Sequence, residues 1–84
     1  MFAITGEWPV ETRLDAPQLA HIAANVRQQP GFVRGYWGQE PDAWASAHAF
    51  VILEDEASAR QMAQGIQAAI PSASLRIVRI LAEA

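Results

Sequence analysis

The hydrophobic positions of this chain follow two periodicities, and these alternate from one segment to the next. Residues 2–8 alternate in side-chain character and residues 74–82 are rich in β-branched side chains, so both segments predict β-strands. Residues 32–39 and 44–53 also predict strands, and they flank a turn at residues 40–43 that contains Pro and Asp. We therefore predict four strands.

Two segments between these strands have the spacing of amphipathic helices. The first helix is predicted to begin after Asp15 as the N-cap, with Gln18 completing a capping box, and to end at residues 30–31. The second helix is predicted to begin after Asp55 and to end before Pro71. The apolar stripes consist of Leu19, Ile22, Ala23 and Val26 on the first helix and of Ala59, Met62, Ala63, Ile66 and Ile70 on the second.

The element order βαββαβ predicts the α+β class and a ferredoxin-like arrangement in a single domain over residues 1–84. Such a chain forms one antiparallel sheet with both helices on the same face. The other face of the sheet is then left without a covering layer. The side chains on this second face therefore indicate whether it is exposed to solvent or covered by a partner.

The hairpin between the second and third strands supplies large side chains to both faces. A short loop with an even number of residues pairs Trp37 with Ser46 and Gly35 with His48. An odd number of residues would move the side chains of one strand to the opposite face of the sheet. With the even loop, one face carries Val33, Trp37, Trp44, His48, Phe50 and Ile52. The opposite face carries Phe32, Arg34, Tyr36, Ala45, Ala47, Ala49, Val51 and Leu53.

Neither face has the polar alternation of a solvated sheet, and residues 43–53 contain no charged side chain. We assign the Ala-rich face to the helices, because small side chains allow close approach or leave room for a ligand. The other face is then predicted to pack against a second copy of the chain, with Trp37, Trp44, His48 and Phe50 as interface candidates. Covering roughly 400 Å² per subunit is worth on the order of 10 kcal/mol before association costs.

The helix-covered face is predicted to hold a pocket for a small aromatic ligand. Arg34 could hold a carboxylate or phenolate and Tyr36 could donate to a carbonyl, with Ala47, Ala49 and Leu53 lining the space. The alternative is that Tyr36 belongs to the core and Arg34 extends to solvent. His48 could be a proton shuttle or haem ligand, but we favour the interpretation that it is an interface His hydrogen-bonded across a dimer.

Composition narrows the possible partners. The formal net charge of −3 disfavours binding to nucleic acid or to anionic membranes. The chain has 84 residues and no Cys, so disulfides cannot reinforce its small core, and dimerisation is the remaining common solution. No metal-ligand spacing, signal peptide or membrane span is visible, so we expect a metal-free cytoplasmic protein.

Residues 30–62, PGFVRGYWGQEPDAWASAHAFVILEDEASARQM, resemble the dimeric α+β-barrel superfamily, especially its small proteins related to antibiotic-biosynthesis monooxygenases. The shared features are a Pro-Gly-Phe opening the second strand, then a turn, a third strand and an acidic, Ser/Ala-rich helix start. The resemblance implies subunits that dimerise sheet to sheet, with a ligand pocket between the sheet and helices of each subunit.

The resemblance does not identify catalytic residues or a cofactor. Catalytic members have an Asn on the first strand and a Trp at the end of the third, and haem-degrading members add a His on the second helix. Here the first strand has no Asn, the Trp position is Leu53, and the second helix has no His. These differences argue against haem degradation.

Three functions are therefore compatible with the sequence. The first is a homodimer that binds a small aromatic or polycyclic molecule, or that oxygenates it without a cofactor. The second is a non-catalytic homodimer whose own side chains fill the pocket. The third is an RNA-binding module, since residues 48–51, HAFV, loosely resemble an RNA-recognition motif; the acidic pI of about 5.1 argues against it.

Overall fold

The computed structural model describes residues 1–11 and 13–84, with the side chain of Gln18 left out. The elements are β1 (Phe2–Pro9), α1 (Ala16–Arg27), β2 (Phe32–Glu40), β3 (Ala43–Leu53), α2 (Glu56–Ala69) and β4 (Ser74–Arg79). The predicted order βαββαβ is confirmed. The capping box predicted for Gln18 lies outside the described residues.

All strand pairs are antiparallel, and the strands lie in the order β2-β3-β1-β4. The last strand is shorter than the predicted 74–82, because Arg79 pairs with Phe2, where β1 begins. One more backbone bond, from Ile80 N to Met1 O at 3.0 Å, ends the pairing.

The core lies between the sheet and the helices. Ile4, Val51 and Leu53 are at most 1% exposed and pack with Ala59 and Met62 of α2. On α1, the predicted stripe is only half-buried, and Ile22 is 40% exposed. The predicted start of the second helix is confirmed, since the Asp55 carboxylate accepts a 2.7 Å hydrogen bond from the Ser58 backbone N–H.

The predicted register of the hairpin is correct at the turn and wrong farther along the strands. Glu40 pairs with Ala43, as a two-residue loop requires. An irregularity between Gly38 and Glu40 then moves the pairing by three residues along β3, so that Gly38 pairs with His48 instead of Ala45. An odd shift exchanges the two faces of β2 relative to those of β3.

Three site predictions are corrected by this shift. Trp37 pairs with Ala49 and packs against the core on the helix-covered face, so it is not on the face predicted for the partner. Arg34 pairs with Ile52 and Tyr36 with Phe50, which puts both on the uncovered face instead of in a pocket under the helices. The bulge, which the sequence pattern did not indicate, is the physical reason.

Neither helix has the length and apolarity needed to span a bilayer, over the residues that the structure describes.

Candidate functional site

A largely enclosed cavity of about 70 Å³ lies between the sheet and both helices. β1 reaches it with every second residue, because alternate side chains of a strand point to the same face. Its lining comes from all six elements and consists of Ile4, Gly6, Trp8, Ile22, Val26, Trp37, Ala49, Val51, Ile66, Ile70 and Leu75. The cavity is thus at the place where the resemblance predicts a pocket, and it is small.

The cavity lining is apolar and contains no titratable side chain. Its polar side-chain atoms are the indole N–H groups of Trp8 and Trp37, which donate hydrogen bonds but cannot accept a proton. Cavities that bind drug-sized ligands have volumes of about 300–1,000 Å³. The arrangement suits a small apolar molecule, and it offers no side chain that could act as a general base.

The predicted ligand residues are therefore divided between two places. Ala49 lines the cavity, whereas Ala47 and Leu53 are buried on the same face beside it. Arg34 and Tyr36 lie on the opposite side of the sheet. No observation tests a binding role for any of the five.

Two cavity residues were not assigned to the cavity from the sequence: Trp8 was interpreted as a structural cap at the end of the first strand, and Trp37 as an interface residue. The alternation of β1 already groups Trp8 with Ile4 and Gly6 on one face, and this signal could have assigned it to the helix-covered side. For Trp37 the alternation of side chains along the strand could not identify the face, because the face on which Trp37 lies depends on the bulge next to Gly38.

The uncovered face of the sheet, which we call the open face, presents aromatic and charged side chains together. Tyr36 is 59% exposed and Phe50 is 48% exposed. Beside Phe50 runs a groove of about 350 Å³ lined by Thr5, Gly6, Glu7, His48, Phe50, Ser74 and Arg76. His48 and Phe50 lie on this face, where the sequence analysis placed them.

His48 is in the middle of the open face, between two carboxylates from neighbouring strands. Its Nδ1 atom is 3.7 Å from Glu7 Oε2 on β1, and its Nε2 atom is 3.8 Å from Glu40 Oε1 at the end of β2. Both distances are longer than a hydrogen bond. Nε2 is buried and has no hydrogen-bond partner among the described residues.

Trp44 lies at the end of the hairpin, where the loop before α1 crosses it. The guanidinium carbon of Arg13 is 4.7 Å from the centroid of the Trp44 ring, a distance suitable for a cation–π contact. Gln39 connects the same two segments: its Oε1 accepts from Leu14 N at 2.7 Å, and its Nε2 donates to Trp44 O at 3.2 Å. Trp44 is still half-exposed, and its predicted interface role stays a prediction.

No model of a known protein family matches the sequence, and no curated protein matches it. The structure is similar to a crystal structure of a mutant form of SnoaB, a cofactor-independent oxygenase from Streptomyces nogalater. The match covers 98% of this chain and 94% of the other, with a TM-score of 0.70 and 21% sequence identity. The chain has the same ferredoxin-like α+β fold as that protein.

This similarity confirms the fold that the resemblance implied. At 21% identity it concerns the fold alone, and the oxygenase activity is a property of SnoaB.

Proposed function

We propose that the chain forms a homodimer through its open face, and that each subunit binds one small apolar molecule, at most a single aromatic ring, in the cavity between sheet and helices. The proposed ligand binding rests on the largely enclosed, predominantly apolar cavity with Trp8 and Trp37 in its wall. The dimer part is supported by the charges and aromatic side chains of the open face.

The open face is self-complementary in charge. It carries two acidic side chains, Glu7 and Glu40, and two basic ones, Arg34 and Arg76. A two-fold packing brings such a face against a copy of itself, so acidic groups of one subunit can meet basic groups of the other. The exposed rings of Tyr36 and Phe50 supply the apolar area that makes association favourable.

The size of the cavity limits its ligand. An engineered cavity of about 150 Å³ binds benzene, whereas this one measures about 70 Å³. A polycyclic substrate needs several times that space, so we propose a ligand smaller than the sequence suggested. Entry is proposed through an outward shift of α1, because its cavity-lining residue Ile22 is already 40% exposed.

We propose binding in preference to an oxygenase reaction like that of SnoaB. The cavity wall contains no carboxylate, His or other group able to remove a proton from a substrate. The second candidate is a homodimer whose own side chains fill the pocket, and the volume of about 70 Å³ favours it. Measured ligand binding separates the two.

Ile66 and Ile77 form a matched pair for this test. Both are half-buried and pack against the same core cluster, but Ile66 lines the cavity and Ile77 does not. Each Ile→Ala change removes the same atoms and is expected to cost about 2–4 kcal/mol of unfolding free energy. Ile66→Ala enlarges the existing cavity, whereas Ile77→Ala does not.

The measurement is ligand-induced thermal shift and NMR titration with benzene and toluene. We expect saturable binding of a single-ring ligand by the wild type, at least about fivefold tighter binding by Ile66→Ala, and no gain in Ile77→Ala. Absence of binding in the wild type and in both variants would eliminate the ligand-binding function and leave the self-filled homodimer.

A further inference from the structure

The position of His48 suggests that protons control the proposed dimer. The ring lies on the open face with one nitrogen toward Glu7 and the other toward Glu40, at 3.7 and 3.8 Å. The His48 side chain is 26% exposed, whereas the two Glu side chains are 56% and 66% exposed. Both carboxylates therefore still contact water in a single subunit, and a covering layer would remove that water.

A neutral imidazole cannot satisfy both carboxylates. It carries one N–H, so whichever tautomer is present, the lone pair of the other nitrogen faces a carboxylate oxygen. On an exposed face, water can bind between the imidazole lone pair and the carboxylate oxygen. In a dry interface these two acceptors face each other without a hydrogen bond, which is unfavourable. A protonated ring donates from both nitrogens, and small side-chain shifts bring each pair to hydrogen-bonding distance.

Other charged and titratable groups face the same area. Arg76 of β4 lines the groove that contains Glu7 and His48, and Arg34 and Tyr36 of β2 lie on the same side of the sheet. In a dimer, the Arg residues of the partner compete with His48 for the two carboxylates. If they neutralise Glu7 and Glu40 completely, protonation of His48 brings no advantage.

We propose that association through the open face takes up one proton at His48 of each subunit, so that the dimer is tighter in weakly acidic solution than in weakly basic solution. This inference rests on the proposed homodimer. Its sign follows from linkage: the associated state binds more protons than the separate subunits, so association is strongest where His48 is protonated and weakens as the pH rises.

Sedimentation equilibrium between pH 5.5 and 8.5 tests the proposal at constant ionic strength. The dissociation constant of the wild type is expected to rise at least about tenfold from pH 6 to pH 8, because imidazole is the side chain whose charge changes within this range. An unchanged dissociation constant across this range would overturn the inference and leave the dimer itself intact. A monomer at every pH would overturn the dimer as well.

Two matched variants locate the proton. His48→Gln removes the ionisable ring, so its dissociation constant should vary less than about threefold over the same range. His21→Gln removes the other His, which is exposed on α1, and should keep the full pH dependence of the wild type. Equal pH dependence in wild type and His48→Gln would contradict the proposal, because the proton would then bind elsewhere.

Calorimetric dilution of the unmodified protein provides an independent measurement that does not depend on a variant folding. Dissociation of the dimer at pH 7 is expected to release protons, so its apparent heat should change with the ionisation enthalpy of the buffer. Identical heats in phosphate and Tris would contradict the proposal.

Discussion

At the residue scale, Asp55 shows how one side chain organises the start of α2. Its carboxylate accepts the backbone N–H of Ser58 at 2.7 Å, and this hydrogen bond holds the pKa of Asp55 below its usual value. A lowered folded-state pKa means that the stabilisation is present above the unfolded-state pKa, near 3.9. It is lost as the pH falls through the folded-state value.

We therefore predict that Asp55→Ala lowers the melting temperature at pH 7 by about 3–6 °C. The difference between wild type and variant should shrink as the pH falls below about 4, because the wild-type carboxyl becomes protonated. Circular dichroism melts at pH 7, 4 and 2.5 provide the measurement, with Asp42→Ala in the hairpin turn as the control. A difference that is independent of pH would contradict the capping role.

The cap could be predicted from the sequence, whereas the face of the sheet on which Trp37 lies could not. The reason is that the two depend on interactions between residues at different separations along the chain. A cap is local: Asp55 and Ser58 are three residues apart, and the residue types are enough to indicate it. The side taken by Trp37 depends on how β2 pairs with β3 beyond the irregularity at Gly38. The same irregularity exchanged Arg34 and Tyr36, so one missed bulge accounts for all three corrections.

At the element scale, the two helices are held to the sheet unequally. α2 contributes the buried residues Ala59 and Met62 to the core. In α1 no described side chain is fully buried, and Ile22 remains 40% exposed. Their apolar stripes are similar in the sequence, so this inequality could not be predicted from periodicity.

The backbone amides of α1 are therefore expected to exchange with deuterium about tenfold faster, or more, than those of α2, since local opening requires less buried apolar area to be exposed. Native-state hydrogen exchange followed by mass spectrometry or NMR provides the comparison. Equal or greater protection in α1 would contradict both this packing argument and the proposed entry route into the cavity.

At the scale of the whole molecule, the element order and the cover of helices on one face followed from the sequence, because periodicity and turn residues report them directly. The size of the cavity did not, since it depends on how the Trp8, Trp37 and Ile22 side chains fill the space. The open face was predicted in part from the sequence and in part required the structure. Phe50 was assigned to this face from the sequence, whereas the position of Tyr36 and the approach of Glu7 and Glu40 to His48 required the structure.

The homodimer proposed above requires that a second copy of the chain covers the open face. Phe50→Asp puts a charge on that face, and Ala68→Asp makes the same charge change on the exposed surface of α2 as a control. A buried, unpaired carboxylate at an interface costs several kcal/mol, which is enough to shift the equilibrium to monomer.

Sedimentation equilibrium at micromolar concentration and pH 6 is the most direct measurement. We predict twice the 9.2 kDa mass of one chain for the wild type and for Ala68→Asp, and the mass of a single chain for Phe50→Asp. A wild-type mass of one chain, or a Phe50→Asp dimer as tight as the wild type, would contradict the account.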